Sequence, residues 1–277
     1  MELYNGDCLD VMKNLKENSV DIIIADLPYG RFKHLDWDKK INLERMWKEI
    51  WRIAKPTTPI FLFGDFKFGV ELINTEHKNF RFEIVWNKLI TTTPLLSRKR
   101  PGKATEYIFC FSKKQSIYNI DKYHKKINNP IQESRVEKGI KRELNENKIM
   151  IYDKYNGKGG KQWNPSLPLN VVKSPLITGS DKEMYHAKSA VYNPTLPINI
   201  LECKAKRLKK VIKNITEKPQ FLLEYLLKYW SNENDVCLDF VMGSGSCGEA
   251  CKNLNRKFIG IELNKEHFEI AQKRLMN

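Results

Sequence analysis

The chain has 277 residues, 41% of them hydrophobic and 29% charged, with a net charge of +15 and a pI of about 9.4. That length buries a real core as one large or two modest domains; no stretch is apolar and long enough to span a bilayer, and Met1-Glu2-Leu3-Tyr4 lacks a signal-peptide pattern. The six cysteines (Cys8, Cys110, Cys203, Cys237, Cys247 and Cys251) form no Cys-x-x-Cys and have no His at zinc spacing, so the reading is reduced thiols in a cytoplasmic protein without a metal.

The charge is uneven. Between Asn119 and Lys213, 20 Lys and Arg stand against 9 Asp and Glu, a surplus of 11 in about a third of the chain. Such a block points to nucleic acid as the partner, with a lysine-rich solvated surface as the alternative.

In chain order, Leu3-Tyr4-Asn5-Gly6 reads as a short strand. Asp7 then caps a helix whose apolar face is Leu9, Met12 and Leu15. Val20-Asp21-Ile22-Ile23-Ile24-Ala25 is a short apolar, β-branched run with the pattern of a buried parallel strand. It is closed by Asp26-Leu27-Pro28-Tyr29-Gly30. In open α/β sheets, function collects at the carboxyl ends of such strands. Pro28 drives Leu27 into an extended conformation. The loop thus offers a carboxylate, an outward carbonyl and an aromatic ring, a set that suits a planar base carrying an NH2 group. The competing reading is an ordinary strand-ending turn, with Asp26 capping a helix and Tyr29 packed.

Residues 31–40 read as a polar, aromatic and partly basic loop. Leu43 to Ala54 is a helix with Met46, Trp47, Ile50 and Ile53 inward, ended by Lys55-Pro56. Ile60-Phe61-Leu62-Phe63 is a buried strand closed by Gly64-Asp65, and Phe66 to Asn74 is helical. Phe82 to Trp86 and Tyr107 to Phe111 are further strands; the basic loop Arg98 to Lys103 between them is a candidate for phosphate contacts. From Asn119 to Lys213, Pro and Gly break the periodicity, and Tyr and Trp interleave with Lys and Arg, which describes a separate, loop-rich region.

Order returns at Thr216-Glu217-Lys218-Pro219. Pro219 sits in the first turn of a helix whose apolar face is Phe221, Leu222, Tyr225, Leu226 and Tyr229. Val236 to Phe240 is a strand. Gly243-Ser244-Gly245-Ser246-Cys247-Gly248 turns into the helix Glu249 to Leu254, Phe258 to Glu262 is the next strand, and a last helix runs from Lys265 to Leu275. A strand, a Gly-x-Gly turn, a helix and an acid at the tip of the next strand describe a nucleoside-binding unit. The glycines let the backbone approach the ligand, and Glu262, 17 residues after Gly245, can accept both ribose hydroxyls. The alternative is a tight turn plus a surface Glu. One helix follows Glu262, so this sheet must take its other strands from the N-terminal half: an α/β sheet cut open and rejoined. That order rejects a nicotinamide dehydrogenase.

On these blocks the chain resembles the beta-class amino-methyltransferases of DNA. The matching stretches are Asn5-Gly6-Asp7-Cys8 with Ser19 to Ile23, Asp26-Leu27-Pro28-Tyr29, Trp86 with Lys88, Glu106, Thr216 to Pro219 with Leu222-Leu223-Glu224, Leu238-Asp239 with Gly243-Ser244-Gly245, and Ile259 to Glu262. The resemblance covers residues 1–112 and 214–277. Leu27 stands where the family usually has a first proline, and Phe240-Val241 where Pro-Phe is usual.

The resemblance implies a circularly permuted Rossmann-like α/β sheet. Residues 1–118 would be its catalytic half, 119–213 an inserted target-recognition region, and 214–277 the cofactor-binding half. It implies S-adenosylmethionine as cofactor and double-stranded DNA as substrate. Asp26, Leu27, Pro28 and Tyr29 would be catalytic; Asp7, Cys8, Thr216, Lys218, Asp239, Gly243, Ser244, Gly245 and Glu262 would bind the cofactor. Lys218 would face its methionine carboxylate, and Asp7 would face cofactor or base if it is not simply a helix cap. Asp26 favours adenine N6 as the target, because the family's cytosine N4 members more often carry Ser there. An inactive DNA-binding relative and an RNA substrate are the remaining alternatives, and a monomer and a homodimer both stay open.

Overall fold

The structure, a computed structural model, describes residues 1–28, 40–89, 99, 102–123 and 217–276, together with the backbone of 125–127, 191–193 and 200–202. The first elements in chain order are β1 (Glu2–Asn5), α1 (Cys8–Met12), β2 (Ile22–Asp26), α2 (Leu43–Ile53), β3 (Ile60–Gly64), α3 (Phe66–Thr75), β4 (Phe80–Asn87) and β5 (Thr105–Phe111). A single helical turn α4 (Ile120–Tyr123) and the short strands β6 (Lys125–Ile127), β7 (Val191–Asn193) and β8 (Ile200–Glu202) follow. The chain closes with α5 (Gln220–Trp230), β9 (Val236–Asp239), α6 (Ser246–Asn253), β10 (Lys257–Glu262) and α7 (Lys265–Met276).

The chain divides into two compact units. Met1–Thr92, Lys103–Ile120 and Pro197–Asn277 form the first; Thr93–Gly102 and Asp121–Leu196 form the second. In the second, the described residues form one antiparallel pair, β6 with β7, in which Lys126 lies opposite Tyr192.

The first unit is built on an eight-stranded sheet of order β1-β10-β9-β2-β3-β5-β4-β8. The strands from β1 to β3 run parallel, and β5 enters antiparallel to both β3 and β4. The central strands are apolar on both faces because both are covered. Ile22, Ile23 and Ile24 of β2 and Ile60 to Phe63 of β3 are all buried. Each such side chain contributes about 1.5–3 kcal/mol relative to exposure.

The expectation that the two ends of the chain share one sheet is met at two seams. At the first, β1 pairs with β10, with Asn5 opposite Glu262; Asn5 Nδ2 and the Gly6 amide both donate to the Glu262 carbonyl, at 2.8 and 3.0 Å. At the second, β2 pairs with β9. Asp21 locks it: its amide donates to the Val236 carbonyl, its Oδ2 accepts from the Val236 amide at 3.0 Å, and Lys55 pairs with Oδ1 at 2.5 Å.

Local chemistry sets the helix ends. Asp7, Asn42 and Asp65 accept from the backbone of Leu9, Arg45 and Phe68 and so cap α1, α2 and α3. Two arginines satisfy helix carboxyl ends across the fold: Arg52 donates to the carbonyls of Met12 and Leu15, and buried Arg256 to those of Leu227 and Ser231.

Two sequence expectations shift. Pro219 is the N-cap of α5, with extended backbone, and the first turn begins at Gln220. Phe221 is 58% exposed, and the buried face of α5 is Leu222, Leu223, Leu226, Leu227, Tyr229 and Trp230. The helix lies flatter in the core than a single stripe implies, because Phe61 and Phe82 meet Trp230 at ring centroids 5.2 and 5.9 Å away. Helix α6 starts three residues earlier than expected, directly from Gly245. Of the loops expected at 31–40 and at Arg98 to Lys103, residues 31–39, 98, 100 and 101 lie outside the described residues, as does most of the region 119–213.

Candidate active site

Because β1, β10, β9 and β2 are parallel neighbours, their carboxyl ends open on one edge of the sheet. Strand spacing of roughly 4.8 Å puts the ends of β10 and β2 about 10 Å apart, with β9 between them. Asp26 ends β2, Asp239 ends β9, and Glu262 ends β10.

On the β2 side the carboxylate of Asp26 is bound by Lys218, which arrives from the stretch before α5. The same ammonium lies 3.1 Å from Glu106 Oε1 and 5.0 Å from the centre of the Phe63 ring. Glu106 Oε2 is in turn 2.6 Å from Lys88 Nζ, and that ammonium sits 4.7 Å from the Trp86 ring centre. The result is a row of alternating charge, Asp26, Lys218, Glu106, Lys88. Its middle members are almost buried, with side chains 9% and 12% exposed. Burial works against the Lys218 ammonium, but Asp26 and Glu106 outweigh it and hold its pKa up. Burial likewise pushes the Glu106 carboxyl up, but Lys218 and Lys88 outweigh it and hold it below the ordinary carboxylate range. The side chain of Leu27 is buried in the core, and Pro28 follows it half-buried.

On the β9–β10 side, Glu262 is 8% exposed, and both its oxygens accept backbone amides. Oε2 accepts from Gly243 at 2.9 Å and Oε1 from Asn264 at 2.7 Å. Each carboxylate oxygen has a second lone pair left for another donor. Gly243 and Gly245 adopt φ of 54° and 81°, in the left-handed region that favours glycine. Ser244 between them is buried, and its carbonyl accepts from Arg274. Asp239 is buried and accepts the Val241 amide on Oδ1 at 3.1 Å. Burial, chiefly, and then its neighbours Cys247, Asp26 and Glu262 push its carboxyl well above the ordinary range; the Val241 amide opposes them. A buried acid among acids is a place that favours a cation.

Of the residues expected from sequence, Asp26, Leu27, Pro28, Asp239, Gly243, Ser244, Gly245 and Glu262 lie along this edge. Asp7 caps α1 at the end of β1. Cys8 beside it is buried, and burial with the Asp7 charge pushes its thiol up to about 12. Tyr29 and Thr216 lie outside the described residues. Lys218 bridges Asp26 and Glu106, a pairing that the expected cofactor contact did not include. The bridge was not legible in the sequence, since Lys218 and Asp26 stand 192 positions apart. The available signal was Glu106 itself, an acid opening an otherwise apolar strand.

The structure also brings Cys237 to Cys247 and Cys251, with the three sulfurs within 4.8 Å of one another. Cys247 and Cys251 come from α6, and Cys237 comes from β9. Burial pushes the Cys237 thiol well up, while at Cys251 burial is outweighed by hydrogen bonds with Cys237 and Cys247, which bring its thiol down to about 6.

The site joins a glycine turn and two strand-end carboxylates, Asp26 and Glu262, on an α/β sheet whose strands come from both ends of the chain. The N6_N4_Mtase family model, described as a DNA methylase, matches residues 20–273, and the chain belongs to this family of amino-methyltransferases. Among curated relatives it is 28% identical over 283 residues to Type II methyltransferase M.HpaI of Haemophilus parainfluenzae, covering 99% of this chain and 73% of that protein. Among solved structures, the M1.HpyAVI–SAM complex matches with a TM-score of 0.56 and 23% identity over 99% of each chain. The PvuII DNA methyltransferase, titled cytosine-N4-specific, matches with a TM-score of 0.61 and 13% identity, covering 99% of this chain and 86% of that one. The fold is therefore the Rossmann-like α/β sheet of DNA methyltransferases.

Proposed function

We propose that this chain transfers a methyl group from S-adenosylmethionine to the N6 amino nitrogen of an adenine flipped out of duplex DNA. The observation that carries the proposal is the pairing of two carboxylates on one sheet edge, Asp26 at the end of β2 and Glu262 at the end of β10, with the glycine turn after β9 between them. One suits an amino group, the other a ribose. The donor set fits the cofactor. Glu262 keeps lone pairs for two hydroxyls, and the raised Asp239 carboxyl suits the cationic methionine portion. When bound, the cofactor supplies an activated methyl group on a sulfonium.

The protein's own work is positioning. Flipping a base from the duplex costs a few kcal/mol, and stacking on Tyr29 returns roughly 1–3 kcal/mol. Asp26 and the Leu27 carbonyl accept the two amino hydrogens. An adenine amino nitrogen is a poor nucleophile because its lone pair is delocalised into the ring. Holding both hydrogens favours the tetrahedral nitrogen that attacks in line, and orientation and electrostatics carry most of the rate. The proton leaves through Asp26 after transfer. Residues 119–213, with Arg98 to Lys103, read the DNA sequence in this proposal, and the surplus of positive charge there supports it.

The test is incubation with tritiated S-adenosylmethionine and mixed-sequence duplex DNA, followed by nucleoside digestion and chromatography. Label in N6-methyladenine is expected. Label in N4-methylcytosine would overturn the choice of base, and no label in DNA would overturn methyl transfer.

A further inference from the structure

Three arrangements among the described residues have no purpose in the proposed function as arrangements: the thiol cluster behind the glycine turn, the Lys103–Asp65 contact just past β3, and the charge row that reaches Asp26. The thiols are close-packed in the core, their sulfurs within 4.8 Å of one another, and touch no group of the proposed chemistry but the neighbouring Asp239. Lys103 and Asp65 are 3.8 Å apart, a loose pair. The charge row is different, because it is buried, continuous, and ends on the residue that the proposed chemistry uses.

We infer that Lys218 is the positioning residue of the methyl-transfer site, with Glu106 as its counterweight: Lys218 bridges the two carboxylates and clamps Asp26 at the end of β2. The inference rests on the proposed function for its catalytic consequence, and on geometry alone for its electrostatic one. Lys218 joins the site from the far side of the chain, and three things fix it. Asp26 takes one direction of its ammonium, Glu106 another, and the Phe63 ring lies 5.0 Å away. Glu106 is held at 2.6 Å by Lys88, so the row cannot simply swing out to solvent.

The need for such a bridge follows from the neighbours. From β9, Asp239 faces Asp26 electrostatically; Glu262 of β10 acts on Asp239 as well. From β5 comes Glu106, from just past β4 Lys88, and from β3 the uncharged Phe63, while Asp65, which follows that strand and caps α3, lies 3.8 Å from Lys103. Without Lys218, Asp26 and Glu106 would lose the ammonium between them, with Asp239 acting on Asp26 from β9 and Lys88 still paired with Glu106. Like charges in a desolvated site do not all stay ionised; one carboxyl takes up a proton. A protonated Asp26 could no longer accept both a cation and an amino hydrogen.

The test uses the full chain as wild type, Lys218→Met, Lys218→Arg, Glu106→Gln and the double variant Lys218→Met/Glu106→Gln. Single-turnover methyl transfer is measured against pH. The acid limb of the wild-type profile is expected to move upward by about 1–3 pH units in Lys218→Met, the shift an opposite charge at this range produces. It should move back in the double variant, where one of the competing carboxylates is gone, and stay near wild type in Lys218→Arg. A Lys218→Met enzyme with an unmoved pH profile and a raised KM for the cofactor would overturn the inference and return Lys218 to the cofactor carboxylate.

Thermal unfolding, run without DNA or cofactor, separates this inference from the proposed function. A raised carboxyl in the folded state stabilises below its unfolded pKa, and that stability is lost as pH rises through the folded value. Lys218→Met should therefore lose stability relative to wild type as pH rises from the carboxylate range toward neutral, and the double variant should lose less. Identical pH dependence in wild type and Lys218→Met would overturn the bridge even if methyl transfer is found. A wild type inactive on DNA with the expected unfolding difference would overturn the methyl-transfer reading and keep the electrostatic bridge.

Discussion

The Gly243 amide donates to Oε2 of Glu262 at 2.9 Å, so the turn after β9 is fastened to the tip of β10 by the same carboxylate that the cofactor's ribose is proposed to meet. In the proposed function, loop geometry and ligand recognition therefore depend on one side chain. Glu262→Gln puts an amide NH2 against either the Gly243 or the Asn264 donor. Losing a charge-assisted hydrogen bond of about 1.5–3 kcal/mol should weaken cofactor binding by about 10- to 100-fold. Titration calorimetry with S-adenosylmethionine measures it; unchanged affinity would remove Glu262 from the site.

Asp26→Ala should reduce methyl transfer by about 100-fold or more, the scale of removing one pre-organised group from a charge-developing site. Cofactor affinity should stay largely intact, because Asp26 lies on β2 and the ribose acid on β10. Parallel kinetics and calorimetry separate the two effects.

Asp239 predicts a pH dependence in both stability and binding. Its carboxyl is raised in the folded state, so the stability it contributes is full below the unfolded carboxylate pKa of about 3.9 and is lost as pH rises through the raised value. Cofactor-free protein should therefore soften as pH rises, and Asp239→Asn should flatten that slope in thermal melts. A bound cation favours the ionised form, so S-adenosylmethionine should bind more tightly as pH rises over the same window.

Gly245→Ala tests the turn itself. The new Cβ would stand 3.1 Å from Ala271 Cβ and from Leu275 Cδ1, at a φ of 81°. A left-handed conformation costs a non-glycine residue about 1–2 kcal/mol, and at this chain length each kcal/mol lowers the Tm by about 2–4 °C. A melting point equal to wild type would show that α7 yields more easily than its packing suggests.

DNA binding should be steeply dependent on salt, given a net charge of +15. With six to ten phosphate contacts, affinity falls by about 1,000- to 100,000-fold between about 50 and 200 mM salt. A shallow slope by fluorescence anisotropy would point to a solvated lysine surface instead.

The parts of the fold that were legible in the sequence are those set by neighbours along the chain. The apolar runs of β2 and β3, the cap Asp7, and the glycine turn ahead of α6 each follow from residues a few positions apart. The block order, with the nucleoside-type unit last and the Asp-Leu-Pro-Tyr loop first, was enough to require that the two ends share a sheet. Asn5 opposite Glu262 and Asp21 opposite Val236 are where they do.

Tertiary structure alone decided what each buried charge meets. From the sequence Lys218 reads as a cofactor contact and Glu106 as a residue matching the family pattern, and nothing there pairs the two. Only the return of the chain past β2 and β5 gives one ammonium two carboxylates to hold. The same holds for Phe221, whose apolar character predicts burial but which faces out because the aromatic contacts of Trp230 set the rotation of α5. Periodicity and capping are encoded within a turn or two of the chain. Charge pairing and helix rotation are fixed by residues brought together from positions far apart, so their free energy is assigned only when the sheet closes.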